Sequence, residues 1–293
     1  MKGITPWFVI PVLLIAALLF LVSASDSVAP VQRVTAPMIE SDLAFASVPL
    51  PLDRLGVRER MDRELLVGTF RHSSTILTIK RASRWFPVIE PILAAAGIPD
   101  DFKYLAVIES GLSHAISPVG AKGFWQFMPK SAREFGLEVH SEVDQRYHVE
   151  LATRAACMYL EQAHERYGDW LLAAASYNMG MTGVSDALKA QRGEEYWDLN
   201  LNRETGRYVY RLYAMKQIMS DPEAHGFFLE PADFWTTAYG THDTIVKASI
   251  SNLADFAAET EQSYNSLKLL NPWLISDHLP VASGDEYTVI LPN

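Results

Sequence analysis

Short helical segments follow one another along the sequence between residues 55 and 222. Apolar residues recur there at helical spacing, and a glycine or proline closes most of the runs. The pattern predicts about seven short helices and little strand, with the clearest at residues 89–96, 150–167, 170–177 and 205–219. A charged run at residues 58–64 is interpreted as the solvated face of the first helix. The fold class is therefore expected to be mainly α.

The last quarter of the chain has a different pattern. Residues 244–250 and 287–291 are predicted strands, and residues 253–258 and 266–270 are predicted helices. The order strand–helix–helix–strand indicates a small α/β module, separate from the helical body that precedes it.

The N-terminus carries the main indication of cellular location. Residues 4–24 contain no charged side chain and are almost wholly apolar from residue 7 to residue 22. Such a segment is long enough to span a bilayer, and it is also compatible with a cleaved signal peptide. Both alternatives predict that the rest of the chain is exported. Residues 25–51, rich in Ser, Ala, Val and Pro, are predicted to be a linker.

Composition and motifs exclude several classes of function. The net charge of −10, without a basic stripe, argues against a nucleic-acid partner. Glycine-rich nucleotide-binding loops and a GxSxG elbow are absent from the sequence, and its eight histidines do not cluster. We therefore expect neither a cofactor nor a metal site.

One acidic residue stands out in the stretch from residue 103 to residue 129. Glu109 follows the apolar residues 104–108, Gly111 is the first residue that could end the helix, and Asp100 is the expected N-cap. Apolar surroundings and the negative end of the helix dipole both raise the pKa of a carboxyl group in this position. A raised pKa suits a general acid. The alternative is a buried carboxylate paired with an arginine.

Three ordered motifs carry a resemblance to a known family. The first joins residues 109–111 (ESG) and 117–129 (SPVGAKGFWQFMP), the second is residues 173–180 (AAASYNMG), and the third is residues 204–209 (ETGRYV). Together they resemble the signature of lytic transglycosylases of the soluble-transglycosylase type, and the membrane-bound D type in particular. The tail resembles a LysM peptidoglycan-binding module, although residues 247–249 (KAS) replace the usual Gly-Asp turn.

The resemblance implies a domain organisation. Residues 1–24 would be the signal peptide or anchor, 25–51 the linker, and 52–98 a helical extension. Residues 99–222 would form a lysozyme-like α+β catalytic domain, and residues 223–293 a linker plus the LysM-like module. Peptidoglycan glycan strands would be the partner on the periplasmic side of a bacterial envelope, with the membrane as a second partner if residues 1–24 stay attached. The sequence gives no oligomeric state.

The resemblance also implies a mechanism and a set of site residues. Glu109 would act first as acid and then as base in cleaving the β-1,4 bond between N-acetylmuramic acid and N-acetylglucosamine, leaving a 1,6-anhydro end. Substrate binding is expected from seven further residues: Ser117, Gln126, Met128, Tyr177, Asn178, Glu204 and Tyr208. For Ser117, Met128, Tyr177 and Glu204 a purely structural role is the alternative. The interval from Glu109 to Ser117 is one residue shorter than in many relatives.

Two alternatives for the function stay open. A lysozyme-like hydrolase would need a second carboxyl group facing Glu109, for which Glu142 and Asp144 are the nearest candidates in the sequence. A non-catalytic peptidoglycan-binding protein would keep the same fold without releasing glycan fragments.

Overall fold

The computed structural model describes residues 35–235 and 240–293. The predicted signal peptide or anchor at residues 1–24 lies outside the described residues, as does the first part of the predicted linker. Within the described ranges, no helix is both long enough and apolar enough to span a bilayer. Residues 37–293 form one unit.

Eight α-helices make up the body of the described chain before residue 222. They are α1 (Val57–Phe70), α2 (His72–Ala95), α3 (Lys103–Ser110), α4 (Pro129–Glu134), α5 (Val149–Tyr167), α6 (Trp170–Met179), α7 (Met181–Gln191) and α8 (Thr205–Ser220). Helix α1 packs against α8, α5 against α6, and α3 lies between α2 and α8. The expected mainly α class is therefore confirmed.

Helix α2 is longer than the sequence pattern predicted. A separate helix at residues 89–96 was expected, but the structure has one helix of 24 residues with Pro87 and Pro91 inside it. A proline inside a helix removes a backbone hydrogen bond and usually kinks or ends it. Here Ile79, Ala82, Ile89 and Leu93 share one buried face on both sides of the prolines. Burial of that continuous face offsets the lost hydrogen bonds.

Two other elements of the body were not predicted. Helix α7 was missed because Val184 is its single buried residue, so no apolar stripe marks it. A short hairpin of β1 (Ala44–Phe45) and β2 (Val48–Pro49) lies within the range predicted as linker. Phe45 is fully buried, and its ring centroid lies 5.3 Å from that of Phe102 and 5.8 Å from that of Tyr213. This part of the predicted linker is therefore held in the core by aromatic packing.

The C-terminal module has the predicted order of elements. It consists of β3 (Thr241–Val246), α9 (Leu253–Glu259), α10 (Tyr264–Leu270) and β4 (Tyr287–Pro292). The two strands are antiparallel, in a register that pairs Thr241 with Pro292 and Val246 with Tyr287. Strand β3 begins and ends a few residues earlier than the predicted 244–250.

The module shares its core with the helical body. Val143 and Tyr147, which belong to the body, are buried in the same cluster as Leu253, Trp273 and Val289 of the module. Backbone hydrogen bonds join the two parts as well: the Asp144 amide donates to the Trp273 carbonyl at 2.9 Å, and the Ile275 amide to the Glu142 carbonyl at 3.0 Å. The module is thus packed onto the body by apolar contacts and main-chain hydrogen bonds together.

Candidate active site

Helix α3 carries Glu109 to the edge of the core. The turn Asp100–Phe102 is a 3₁₀ helix that leads into α3, so the N-cap predicted at Asp100 is wrong. The predicted end is confirmed, because Gly111 caps the helix with φ of 60° and its amide donates to Val107. Residues 104–107 are buried. Glu109 therefore lies in the last turn, partly buried at the point where the helix leaves the core.

Tyr208 is the hydrogen-bond partner of Glu109. Its hydroxyl donates to Oε1 of the Glu109 carboxyl group, from a position 99 residues further along the chain on α8. The Tyr208 side chain is almost fully buried. Burial, together with the Glu109 carboxyl group beside it, raises the pKa of the phenol well above its usual value. Tyr208 thus stays protonated and remains a donor to Glu109.

The pKa of Glu109 is the central electrostatic feature of the site. Burial raises it from 4.5 to about 7, against the lowering effects of the Tyr208 hydroxyl and the Arg211 guanidinium, while Glu204 raises it further. No salt bridge to Glu109 is found within the parts of the chain that the structure describes. A carboxyl group with this pKa has substantial protonated and ionised populations near neutral pH, so it can both donate and accept a proton.

Helix α6 supplies Tyr177 and Asn178. The Tyr177 hydroxyl donates to the carbonyl of Trp125 at 2.8 Å, and its ring contacts Phe127 and Tyr159. Burial and the charge of Glu109 together raise the pKa of Tyr177 well above its usual value. The Asn178 Oδ1 accepts a hydrogen bond of 2.7 Å from the Thr205 hydroxyl at the start of α8. These contacts hold α6 to the loop before α4 and to α8.

The loop between α3 and α4 contains Ser117 and Gln126. The Ser117 Oγ accepts from the Ala121 amide at 2.9 Å. The Gln126 side-chain amide donates to the carbonyls of Ala115 at 3.0 Å and Gly123 at 2.8 Å, and Gln126 itself has a positive φ of 49°. Both side chains therefore stabilise the loop by hydrogen bonds within it, and their contacts with sugar stay a prediction.

Met128 and Glu204 complete the predicted set. Met128 precedes α4 with 41% of its surface exposed. Glu204 precedes α8, and its carboxylate forms a salt bridge with Arg211. Its charge is close enough to raise the pKa of Glu109. The structure therefore brings Glu204, Tyr208 and Tyr177 close to Glu109.

A cavity of about 380 Å³ opens beside Glu109, on the side of α1 and α2. The sequence prediction missed two residues there, Glu64 and Arg207. The charged run in α1 was interpreted as solvated, but Glu64 is buried, and both of its oxygens accept from Arg207, at 2.6 and 3.0 Å. The helical spacing could have indicated that Glu64 is buried, because Glu64 lies on the same helix face as the apolar residues Val57 and Met61.

The two carboxyl groups proposed as a second acid lie in other surroundings. Asp144 is buried and accepts two hydrogen bonds from the Arg146 guanidinium, at 2.8 and 2.7 Å, and one from Lys122 at 3.2 Å. Glu142 contacts His140 and Ser141 where the module meets the body. Within residues 35–235 and 240–293, no cluster of His, Cys, Asp and Glu is arranged to hold a metal ion.

Two sequence families match this chain. The family described as "Transglycosylase SLT domain" matches residues 89–200. The chain carries a transglycosylase SLT domain. The family described as "Soluble lytic transglycosylase C-terminal LysM-like domain" matches residues 242–293, which contain most of the C-terminal module. The SLT match contains most of the predicted site, but Glu204 and Tyr208 lie beyond it.

Curated proteins are similar to a large part of the chain. Membrane-bound lytic murein transglycosylase D of Escherichia coli strain K12 is homologous to the chain, with 27% identity over 242 residues that cover 80% of this chain and 51% of the relative. The same protein from Escherichia coli strain CFT073 matches equally well. The chain thus spans about half the length of these relatives.

Two solved structures are similar to part of the chain. One is an inactive mutant of the lytic transglycosylase Slt from Pseudomonas aeruginosa, with 24% identity, a TM-score of 0.40, and coverage of 57% of this chain and 31% of the other. The second is the 70-kDa soluble lytic transglycosylase of Escherichia coli, with 20% identity, a TM-score of 0.39, and coverage of 52% and 26%.

Proposed function

We propose that this chain is an exported peptidoglycan lytic transglycosylase in which Glu109 serves as the single acid and base. The SLT domain and the homology to a murein transglycosylase support the reaction class. The electrostatic surroundings of Glu109 support the assignment of the acid–base role to this residue. Its carboxyl group has a pKa of about 7 and is held by a tyrosine hydroxyl rather than by a cation.

The proposed reaction has two proton transfers. In the first, protonated Glu109 donates to the glycosidic oxygen between N-acetylmuramic acid and N-acetylglucosamine, and the bond to C1 of the muramic acid breaks. In the second, the resulting carboxylate accepts the proton of the C6 hydroxyl of that sugar as its oxygen attacks C1. A 1,6-anhydro end forms, and Glu109 is protonated again. Each transfer by a positioned group contributes about 10²- to 10⁴-fold to the rate.

One carboxyl group is sufficient for this reaction because the substrate supplies its own nucleophile. A hydrolase that activates water normally uses two carboxyl groups across the cleft. The carboxylates described around Glu109 are paired with arginine: Glu64 with Arg207, and Glu204 with Arg211. A carboxylate whose oxygens accept hydrogen bonds from a guanidinium has fewer lone pairs free to activate a water molecule. This arrangement supports the transglycosylase over the hydrolase.

The remaining predicted residues have supporting roles in the proposal. Tyr208 positions the Glu109 carboxyl group and stabilises its charged form by donating a hydrogen bond. Tyr177 and Asn178 shape the floor of the cleft, with Met128 at its edge. Ser117 and Gln126 hold the conformation of the loop between α3 and α4, which faces the sugar. Among the described residues none donates a hydrogen bond to Oε1 of Gln126, so this oxygen is available as an acceptor. Glu204 keeps the Arg211 guanidinium in place beside the carboxyl group.

Analysis of the products tests the proposed function. The full chain is incubated with purified peptidoglycan, and the released fragments are weighed by mass spectrometry. We expect fragments that are one water lighter than hydrolysis products, and no release by Glu109→Gln. Reducing ends would support the hydrolase, retention on the glycan without release would support the binding protein, and full activity of Glu109→Gln would contradict the assignment of the residue.

The cellular location is part of the same proposal. The apolar segment at residues 4–24 supports export, and the relative in Escherichia coli is named as membrane-bound. We therefore infer action on the periplasmic side of a bacterial envelope. Fractionation of cells that express the full chain, followed by N-terminal sequencing, distinguishes an anchored chain from one cleaved after about residue 24.

A further inference from the structure

The cavity beside Glu109 contains more positive groups than its carboxylates neutralise. Four arginines line it: Arg71, Arg81, Arg207 and Arg211. Two of them, Arg207 and Arg211, are paired with Glu64 and Glu204. The other two form no ion pair with a carboxylate in the described parts of the chain. This local excess of positive charge stands out in a chain whose net charge is −10.

The two unpaired arginines occupy different positions around the cavity. Arg81, on α2, donates from Nη1 to the carbonyl of Gly111 at 3.1 Å, directly beyond the end of α3. Arg71 connects α1 to α2 and is exposed, and no hydrogen bond joins its guanidinium to any residue within 35–235 or 240–293. Ser74, one turn along α2 from Arg71, adds a hydroxyl to the same lining.

The chemistry of these groups selects one class of ligand. A guanidinium presents planar N–H donors that match the two oxygens of a carboxylate. Glu109 lies in the last turn of α3, and Arg81 contacts the residue that caps this helix. Arg71, Arg81 and Glu109 line the same cavity, so an anion bound to the two arginines would lie in the cavity that holds the Glu109 carboxyl group. Peptidoglycan carries carboxylates on its stem peptides, and on the lactyl group of muramic acid where a stem has been removed. Chitin-like glycan carries none.

We propose that Arg71 and Arg81 form a subsite for a substrate carboxylate, through which this face of the cleft selects muramic-acid-bearing glycan. The inference rests on the proposed function, because peptidoglycan is taken as the substrate. Arg71 is the residue that can be tested in isolation, since it is exposed and its guanidinium has no partner in the fold. Arg81 also holds the end of α3, so changing it would disturb Glu109 as well.

The test compares Arg71→Gln with Arg58→Gln on three substrates. Arg58 lies in the first turn of α1, is exposed, and is not part of the cavity lining, so the two variants lose the same charge. The substrates are intact peptidoglycan, the same material with its carboxylates amidated, and glycan stripped of stem peptides, in which the lactyl carboxylate is free. Retention of the protein on insoluble substrate is measured together with the KM for fragment release.

We expect Arg71→Gln to weaken retention and raise KM by about fivefold, as the loss of an exposed ion pair implies. Arg58→Gln should match the wild type on every substrate. Arg71→Lys should recover only part of the loss, because it keeps the charge but not the paired donors of the guanidinium. On amidated material Arg71→Gln should equal the wild type. An effect confined to intact peptidoglycan would assign the carboxylate to the stem, and one confined to stripped glycan would assign it to the lactyl group.

Other outcomes separate the two proposals. If Arg71→Gln behaves like Arg58→Gln on all three substrates, or keeps its defect on amidated material, the carboxylate subsite is wrong while the proposed function stands. If the wild type releases nothing from any substrate, the proposed function fails. Retention of Arg71→Gln and Arg58→Gln on the insoluble substrates then still shows whether Arg71 binds a carboxylate.

Discussion

At Glu109, burial and hydrogen bonding act on one carboxyl group in opposite directions. Burial favours the neutral acid, whereas the Tyr208 hydroxyl and the Arg211 guanidinium favour the carboxylate. The balance gives a pKa of about 7. A general acid must be protonated in the free enzyme, so kcat/KM should be constant at low pH and fall above about pH 7.

Tyr208→Phe tests this balance. The variant loses the donor that lowers the pKa of Glu109, so the fall of kcat/KM should move to higher pH, with a lower maximum. Tyr213→Phe is the control, because the Tyr213 hydroxyl donates to the Val48 carbonyl, in the hairpin. It should lower the melting temperature and leave the pH profile in place. An unchanged pH profile of kcat/KM in Tyr208→Phe would show that the ionisation of Glu109 does not cause the fall in kcat/KM at high pH.

The same pKa predicts how stability depends on pH. Glu109 has a pKa of about 7 in the folded chain and about 4.5 when unfolded, so the folded state binds the proton more tightly between these values. The stability of the fold therefore decreases as pH rises from about 4.5 to about 7, by up to about 3 kcal/mol. Glu109→Gln removes this cost, so its melting temperature should exceed that of the wild type at about pH 8 and approach it at about pH 4. The reverse order would contradict the raised pKa.

At the scale of the element, the loop between α3 and α4 depends on a close backbone contact. A Cβ atom at Gly123 would lie 1.8 Å from the carbonyl oxygen of Arg146, and φ there is 78°. Gly120 in the same loop also has a positive φ, of 88°, but open space around it. Alanine substitutions at these two glycines therefore compare two losses of stability: one from a steric clash together with backbone strain, and one from backbone strain alone.

We expect Gly123→Ala to lower the free energy of unfolding by more than about 4 kcal/mol, and fragment release to be lost with the shape of the loop. Gly120→Ala should cost about 1–2 kcal/mol, the strain of a left-handed residue, and keep its activity. Denaturant titration of both variants provides the comparison. Equal costs would mean that the contact between residues 123 and 146 does not hold the loop.

Local patterns predicted much of the fold. Helix α8 was expected at residues 205–219 and is found at Thr205–Ser220, and α5 was expected at 150–167 and is found at Val149–Tyr167. Both carry a continuous apolar stripe and end at a clear stop signal. The prediction missed α7, whose apolar stripe is weak, and it divided α2, whose apolar stripe continues across two prolines. In both cases packing in the folded chain, rather than the local sequence pattern, determined the helix.

Local sequence patterns also predicted part of the candidate site. The position of Glu109 at a helix end followed from its apolar neighbours and Gly111. Its hydrogen bond to Tyr208 spans 99 residues, and the salt bridge between Glu64 and Arg207 spans 143. Pairings over such distances depend on how α1 and α3 pack against α8, which local periodicity does not specify. The domain boundaries and the roles of the other site residues stay predictions.

At the scale of the molecule, the LysM-like module and the body share buried surface. Leu274 is fully buried and forms a β-bridge with Val143 of the body. Because the apolar cluster of the module includes Val143 and Tyr147, loss of the module would expose them. The two parts are therefore expected to unfold together in a single calorimetric transition.

Leu274→Ala tests this coupling. Removing a buried leucine costs about 2–5 kcal/mol, and the single transition should shift to lower temperature as a whole. Leu269→Ala is the control, because Leu269 lies in α10 with 69% of its surface exposed, and it should leave the transition within experimental error. A body that melts at its original temperature after an early transition of the module would contradict the coupling.

In the proposed mechanism Glu109 transfers both protons, and no water enters the reaction. Digestion of purified peptidoglycan in water labelled with heavy oxygen measures this directly, because a hydrolase places a solvent oxygen on C1 of every new end. We expect fragments released by the wild-type chain to carry no heavy oxygen at their new muramic acid ends. Incorporation of one labelled oxygen per cleaved bond would show that water is the nucleophile and would contradict the mechanism.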